Sequence, residues 1–345
     1  MDEGVNHKRT NLLKITVLSL VIILFNSPLA VAAEETGGTF NPSELINHHI
    51  LDAHEWHFFD GHYGTLFLPV ILYSSDNGLE VFSSSNFYDE RHNIVEYNGY
   101  KYEHGHILPV AEGRTVIDFS ITKNVAFLFL NATLMIVIFL AVARGYKKRP
   151  KEAPKGIQSL FEPIIVFVRD DIVKPNIGPK YERYLPYLLT LFFFIWFGNL
   201  LGLMPGAANL TGNIAVTGVM AIITFLFTNF SGNKTYWGHV FNTPGVPFAL
   251  KFIIVPVEII GVFTKPISLM IRLFVAITAG HIVILSLISL IFIFESYMVG
   301  FASTLIVVFI TFIELLVATI QAYVFTMFSS LYIGLAIEEH HEEHH

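Results

Sequence analysis

The chain contains no cysteine in 345 residues. Disulfides, thiolate metal sites and cysteine nucleophiles are therefore excluded. Charge is nearly as scarce. Asp, Glu, Lys and Arg make up 14% of the residues, where soluble domains run at about a quarter. Basic charge is the scarcer sign: 21 Lys and Arg against 28 Asp and Glu leave a net charge of −7. That provides no cationic footprint for DNA or RNA, and no nucleic-acid partner is expected. No G-x-x-x-x-G-K-[ST] phosphate loop occurs either, so neither nucleotide nor any other cofactor is expected in this chain. What the sequence has in quantity is hydrophobic residues, at 53%, with 32 Phe. A chain so composed lacks the polar surface to cover itself in water, and its expected solvent is lipid.

The first 33 residues combine a basic start (His7, Lys8, Arg9, Lys14), an apolar run Ile15–Phe25 and small residues Ala30-Val31-Ala32-Ala33. That order predicts a secretory signal peptide, with cleavage near Ala33 and the following segment outside the cytoplasm. Residues 34–120 are polar, with turn signals at Asp76-Asn77-Gly78 and Asn98-Gly99. The stretches Thr65–Tyr73, Asn93–Tyr97 and Gly99–Tyr102 flank them and predict hairpins in a small periplasmic domain of mixed or β character. Its histidines (His48, His49, His54, His57, His62, His104, His106) follow no ligand spacing and read as scattered, not as a metal site.

The membrane part spans 121–338. Asn124–Ala143 carries no charge and is long enough to cross as a helix; Arg144-Gly145-Tyr146-Lys147-Lys148-Arg149 follows at once. A basic cluster there belongs on the cytoplasmic side, in agreement with an exported N-terminal domain. Gly156–Val173 is amphipathic and predicts an interfacial helix, or one covered by a partner subunit. Tyr184–Asn233 has no formal charge and is interrupted at Met204-Pro205-Gly206 and Asn209–Gly212, which predicts a transmembrane hairpin returning to Lys234 and Lys251 on the cytoplasmic side. Two long helical segments close the chain, Ala249–Phe294 and Phe301–Ile337, with a turn expected near Gly300. The first would be about 70 Å long, over twice the hydrocarbon thickness, so it slants steeply or breaks at Pro256 or Pro266. The fold class is an all-α polytopic membrane protein with a small N-terminal domain.

From Phe252 to Ile337 the formal charges are Glu258, Lys265, Arg272, Glu295 and Glu314. An ionisable residue at membrane depth costs about 2.5–3.5 kcal/mol on insertion scales, which makes it a functional candidate. Glu258, Lys265 and Arg272 are seven apart and share one helical stripe. Arginine keeps its proton, so it can oppose protonation of a nearby acid without exchanging protons itself. The alternative is an Arg272 ion pair with Glu258 or Glu314 that only joins helices. His281 lies nine residues after Arg272, on nearly the opposite face, and Glu314 and Gln321 share a face on the last helix. His and Glu exchange protons and Gln holds water, so the three suit a proton path; each equally suits an interhelical hydrogen bond.

The run Thr264-Lys265-Pro266-Ile267-Ser268-Leu269-Met270-Ile271-Arg272-Leu273-Phe274, then Ala279-Gly280-His281, resembles the signature of the a subunit of F-type ATP synthases. Val255-Pro256-Val257-Glu258, Phe197-Gly198-Asn199-Leu200-Leu201-Gly202-Leu203-Met204-Pro205 and Glu314 through Gln321-Ala322-Tyr323 match the same family in the same order, over roughly residues 120–338. The resemblance implies a proton-translocating stator subunit in a bacterial inner membrane. Arg272 would face the carboxylates of the rotating c ring. His281, Glu314 and Gln321, with Asn199 as a further candidate, would line the half-channel open to the periplasm, and Glu258 would belong to the other. Partners would be the c ring, the b subunits of the peripheral stalk and, through the complex, the F1 sector, where ATP forms.

One position departs from the family pattern: Ala276 stands where many members carry Asn, four residues after the arginine, with Thr278 as the nearest polar substitute. Sodium is an alternative coupling ion. A self-contained secondary transporter would require a second copy of the Arg272 segment, and there is none. The end, Glu338-Glu339-His340-His341-Glu342-Glu343-His344-His345, reads as a solvated cytoplasmic tail.

Overall fold

The computed structural model describes residues 52–338, apart from 58–63, 90–92, 104, 112–113, 149–152, 205 and 243–246. The signal-peptide segment 1–33, the 339–345 tail and the histidines at 48, 49, 62 and 104 lie outside the described residues. The chain divides into two compact units. The first holds the described part of Leu51–Phe127 with Gly202–Ala208, the second that of Leu128–Leu201 and Asn209–His345.

The first unit is built of short antiparallel strands. β1 (Glu55–His57) pairs with β2 (Thr65–Phe67), and β5 (Tyr100–Glu103) with β6 (His106–Pro109). β3 (Pro69–Ser74), β4 (Gly78–Ser83) and β7 (Val116–Asp118) form a sheet in the order β4–β3–β7. Alternation along β3 sends Val70 and Leu72 inward, where they meet Phe87, Tyr100 and Ile107 in the core. The turn at Asp76-Asn77-Gly78 joins β3 to β4 as expected, with Gly78 at φ 71°. At Asn98-Gly99 both residues have positive φ, and Tyr97 and Tyr100 exchange backbone hydrogen bonds across a tight turn. Asn93–Tyr97, expected as a strand, makes only isolated bridges, because Tyr97 pairs with Tyr100 alone. Within this unit Trp56, packed on Phe127, donates from Nε1 to the Gly206 carbonyl at 2.7 Å.

The second unit is helical. Its elements are α1 (Lys123–Lys148, which begins in the first unit), α2 (Ile157–Phe167), a π-helical turn (Val168–Val173), α3 (Lys174–Ile177), α4 (Tyr181–Gly202), α5 (Ile214–Ser231), α6 (Lys234–Phe241), α7 (Phe248–Phe294) and α8 (Tyr297–Ile337). Among the described residues five helical runs are long and apolar enough to cross a membrane: Lys123–Lys148, Ile157–Gly202, Ile214–Ser231, Leu250–Phe294 and Tyr297–Ile337. The chain is thus an all-α multi-pass membrane protein with a small β-containing N-terminal region. The amphipathic face of α2 and the π turn is covered within the chain: Phe161, Val168 and Ile172 are buried with α4 and α8, while Ile157 and Leu160 stay exposed.

Neither proline breaks α7, which runs unbroken through Pro256 and Pro266. At 47 residues it is about 70 Å long, so only a steep slant fits it to a hydrocarbon core of about 30 Å. The reversal into α8 falls at Glu295-Ser296, not near Gly300, with Glu295 in the left-handed region at φ 44°. Gly300 is already inside α8 and packs close to Ile291.

Candidate functional site

The site lies on the α7–α8 seam, and its register is set by close approaches. A Cβ on Gly280 of α7 would collide with the Glu314 carboxylate of α8. Further along, the Arg272 guanidinium carbon lies 4.4 Å from the Phe328 ring centroid, and Lys265 Nζ lies 5.5 Å from that of Tyr332. As residue numbers fall along α7 they rise along α8, so the two helices are antiparallel. Small residues explain the intimacy: Gly280 on one helix, and Ala318 and Ala322, both fully buried, on the other.

Glu314 is buried at 8% exposure, against Gly280, the residue that precedes His281 on the opposing helix. The His281 Nε2 and the Thr278 Oγ are buried and have no hydrogen-bond partner among the described residues. Gln321 is half-buried, one heptad beyond Glu314. One heptad further on the same stripe is Phe328, beneath Arg272. Glu314, Gln321 and Phe328 therefore form a line along α8 that runs from the Gly280–His281 level to the arginine.

Arg272 has no hydrogen bond and no ion pair among the described residues. The alternative of an arginine that joins helices through Glu258 or Glu314 therefore has no counterpart in this structure. Asn199 is placed differently from the rest. It is 2% exposed and bonded at both ends of its amide: its Nδ2 donates to the Ala318 carbonyl at 3.2 Å and its Oδ1 accepts from Thr211 Oγ1 at 2.6 Å. It clasps α4, the turn before α5, and α8. Ala276 is half-buried and offers no polar group.

Glu258 lies on the exposed side of α7. Near it, Tyr236 of α6 donates to Asn229 Oδ1 at 3.3 Å, and burial, followed by the Glu258 carboxylate, pushes its phenol up. A small, mainly apolar recess lies between α5, α6, α7 and α8, with Thr224, Thr228, Asn229, Tyr236, Lys265 and Tyr332 beside Phe225, Val262, Pro266 and Leu269 in its walls. The Thr228 hydroxyl is buried without a hydrogen-bond partner among the described residues. A polar seam continues from the recess, with Tyr187 and Thr224 joined at 2.8 Å and Thr224 and Ser329 at 3.5 Å.

Sequence reasoning passed over Phe328 and Tyr332. A signal for Phe328 exists, since it extends the Glu314–Gln321 heptad by one step. The hydroxyls of Thr224, Thr228 and Ser329 gave none, because Thr and Ser in apolar helices commonly bond their own backbone, as Thr224 and Ser329 do here.

Comparison with known proteins identifies the family of the helical unit. Residues 125–334 match the family described as ATP synthase A chain, and residues 45–127 match a domain of unknown function (DUF8433). The chain is 47% identical over 234 residues to ATP synthase subunit a of Chloroherpeton thalassium, covering 66% of this chain and 70% of the relative. It is 50% identical over 226 residues to ATP synthase subunit a 2 of Chlorobaculum tepidum, covering 64% of each, so just under two thirds of that relative is spanned. With ATP synthase subunit a of Anaeromyxobacter sp. it shares 37% identity over 325 residues, which is 91% of this chain and 75% of the relative.

Proposed function

The chain belongs to the ATP synthase A chain family, and from that premise we propose that it is the stator subunit that carries protons to and from the c ring. Proton flow through two offset half-channels would turn the ring and drive ATP formation in the F1 sector. The observation that carries this reading is Arg272, halfway along a slanted α7, with no carboxylate paired to it among the described residues. A fixed cation so left is available to a carboxylate from outside the chain. It also keeps protons from passing directly between the two paths.

The periplasmic path is read through His281, Glu314 and Gln321. Buried polar atoms without partners, such as His281 Nε2 and Thr278 Oγ, are groups that ordered water satisfies, and a water-filled path needs such groups. Glu314 then relays protons along its heptad stripe toward Arg272. Asn199 would act by holding α8 in register, since its amide is already committed. The opposite path is read through the recess at Lys265 and Tyr236 to Glu258. The basic end of α1 supports a cytoplasmic position for that path and for the C-terminus, and a periplasmic one for the β-containing unit. The b subunits of the peripheral stalk would hold the chain against rotation.

The test is ATP-driven proton pumping into inverted membrane vesicles by the complex carrying Arg272→Ala, with assembly verified on the purified complex. Pumping should fall to background while the complex still assembles. Normal pumping by an assembled Arg272→Ala complex would overturn the reading.

A further inference from the structure

Two cations of the α7 stripe meet two aromatic rings of α8. Arg272 lies over Phe328 at 4.4 Å and Lys265 over Tyr332 at 5.5 Å, and the two rings are neighbours with centroids 6.0 Å apart. The cations are seven apart and the rings four apart, so each set stays on one face of its helix. Among the described residues Arg272 has no other polar partner.

We propose that Phe328 is a positioning residue: its ring face holds the Arg272 guanidinium on the seam by cation–π attraction and leaves the N–H groups free for an external carboxylate. The inference rests on the reading of Arg272 given above. The face of an aromatic ring carries negative potential and attracts a cation, most strongly where water is excluded. It accepts no proton, so it adds no titratable site beside the barrier. A carboxylate in its place would take the guanidinium fork in paired, charge-assisted hydrogen bonds and compete with the ring carboxylates. An aliphatic side chain would offer the cation nothing against its cost at membrane depth. The aromatic face is intermediate, which suits a cation that must be engaged and released repeatedly.

Packing and cation–π attraction separate experimentally, because fluorine drains the ring face of negative potential while changing its volume little. The experiment places mono-, di- and trifluorinated phenylalanine at position 328 of the intact complex, alongside Phe328→Leu and Arg272→Ala. ATP-driven pumping in inverted vesicles is measured per assembled complex. Pumping should fall stepwise with fluorine number, to about tenfold below the parent in Phe328→Leu. A series that stays flat with fluorination overturns the proposal, even if Phe328→Leu is impaired, since that pattern is a packing effect. If Phe328→Leu fails to assemble, the fluorinated series still decides. Arg272→Ala separates the two levels. Normal pumping there means the reading of Arg272 has failed, whereas background pumping there with a flat fluorine series means only the role of Phe328 has.

Discussion

Each unit of this protein contains an arginine over an aromatic ring at nearly the same distance, and the two are treated in opposite ways. In the β-containing unit the Arg114 guanidinium carbon is 4.5 Å from the Tyr100 centroid. It also donates to Ser74 Oγ at 3.1 Å and to the Tyr100 hydroxyl at 2.9 Å, with Glu80 and Asp76 at 3.7 and 3.6 Å. In the helical unit Arg272 is 4.4 Å from Phe328 and has no further partner among the described residues. Arg114 is neutralised and enclosed, which suits an arginine that holds strands together. Arg272 is held but not neutralised, although it lies where charge costs most. The ring contact alone does not distinguish a structural arginine from a working one; the rest of the coordination does.

The largest test exchanges the two phenotypes. Arg272→Ala should leave the helical unit folded and pumping at background. Arg114→Ala should do the reverse: it removes the donor to Ser74 and Tyr100 and the cation beside Glu80, costing the β-containing unit on the order of 1–3 kcal/mol, while pumping per assembled complex persists. Protease nicking of that unit in membranes, measured beside pumping, checks both. If Arg114→Ala also stops pumping in assembled complexes, the contrast is wrong.

A smaller effect is expected at Gly280. Gly280→Val drives a side chain into the Glu314 carboxylate, an overpacking of about 1–3 kcal/mol, and should slow pumping severalfold, with Gly280→Ala in between. Equal pumping by Gly280→Val and the parent would show that the α7–α8 approach plays no part in transport.

Acid provides a test confined to the β-containing unit. Partial burial raises the pKa of Asp118, but hydrogen bonds from His54 at 3.1 Å and from Ser120 outweigh it and hold the carboxyl below its usual value. A depressed acid contributes stability above its unfolded pKa of about 4 and loses it as pH falls through the lower folded value. Protease protection of this unit should therefore weaken below about pH 4 in the parent, and Asp118→Asn should remove that component of the pH dependence. The smallest effect is expected at Ala276. Ala276→Asn should quicken pumping by less than about threefold by adding a polar group to the access path. Unchanged pumping would place the path at Thr278 and His281 instead.

The sequence made some of this legible and left the rest dark for physical reasons. Long uncharged runs announce membrane helices because length and charge alone decide spanning, and the α4–α5 hairpin followed from Met204 and Asn209–Gly212. The end of α7 was harder. Glycine suggested a turn near Gly300, yet it is Glu295 that takes the left-handed conformation, and Gly300 lies within α8. A break at Pro256 or Pro266 was the alternative to a steep slant, and α7 runs unbroken through both. In the site, periodicity grouped Glu258, Lys265 and Arg272, and separately Glu314 and Gln321. It could not say which residue of one helix faces which of the other. That register rests on Gly280 and on the cation–ring contacts, which pair one helix with the other and so leave no trace in the period of either. For the same reason periodicity gave no sign that Asn199, a candidate for the access path, bonds Ala318 and Thr211.

The packing of α8 has a mechanical consequence. Its C-terminal part is gripped on several sides. Ser330 donates to the Ile172 carbonyl, Asn233 bonds Ala336 and Ile337, and Gly334 lies so close to the Asn176 carbonyl that a Cβ has no room. Of its fully buried positions only Ser303 precedes Glu314. The helix is thus a cantilever, embedded at one end and compliant at the other. A sideways force on such a beam bends the compliant end and barely moves the root. Phe328 lies near the root, so a tangential pull on Arg272 would be passed into the surrounding helices as load and not absorbed as deflection.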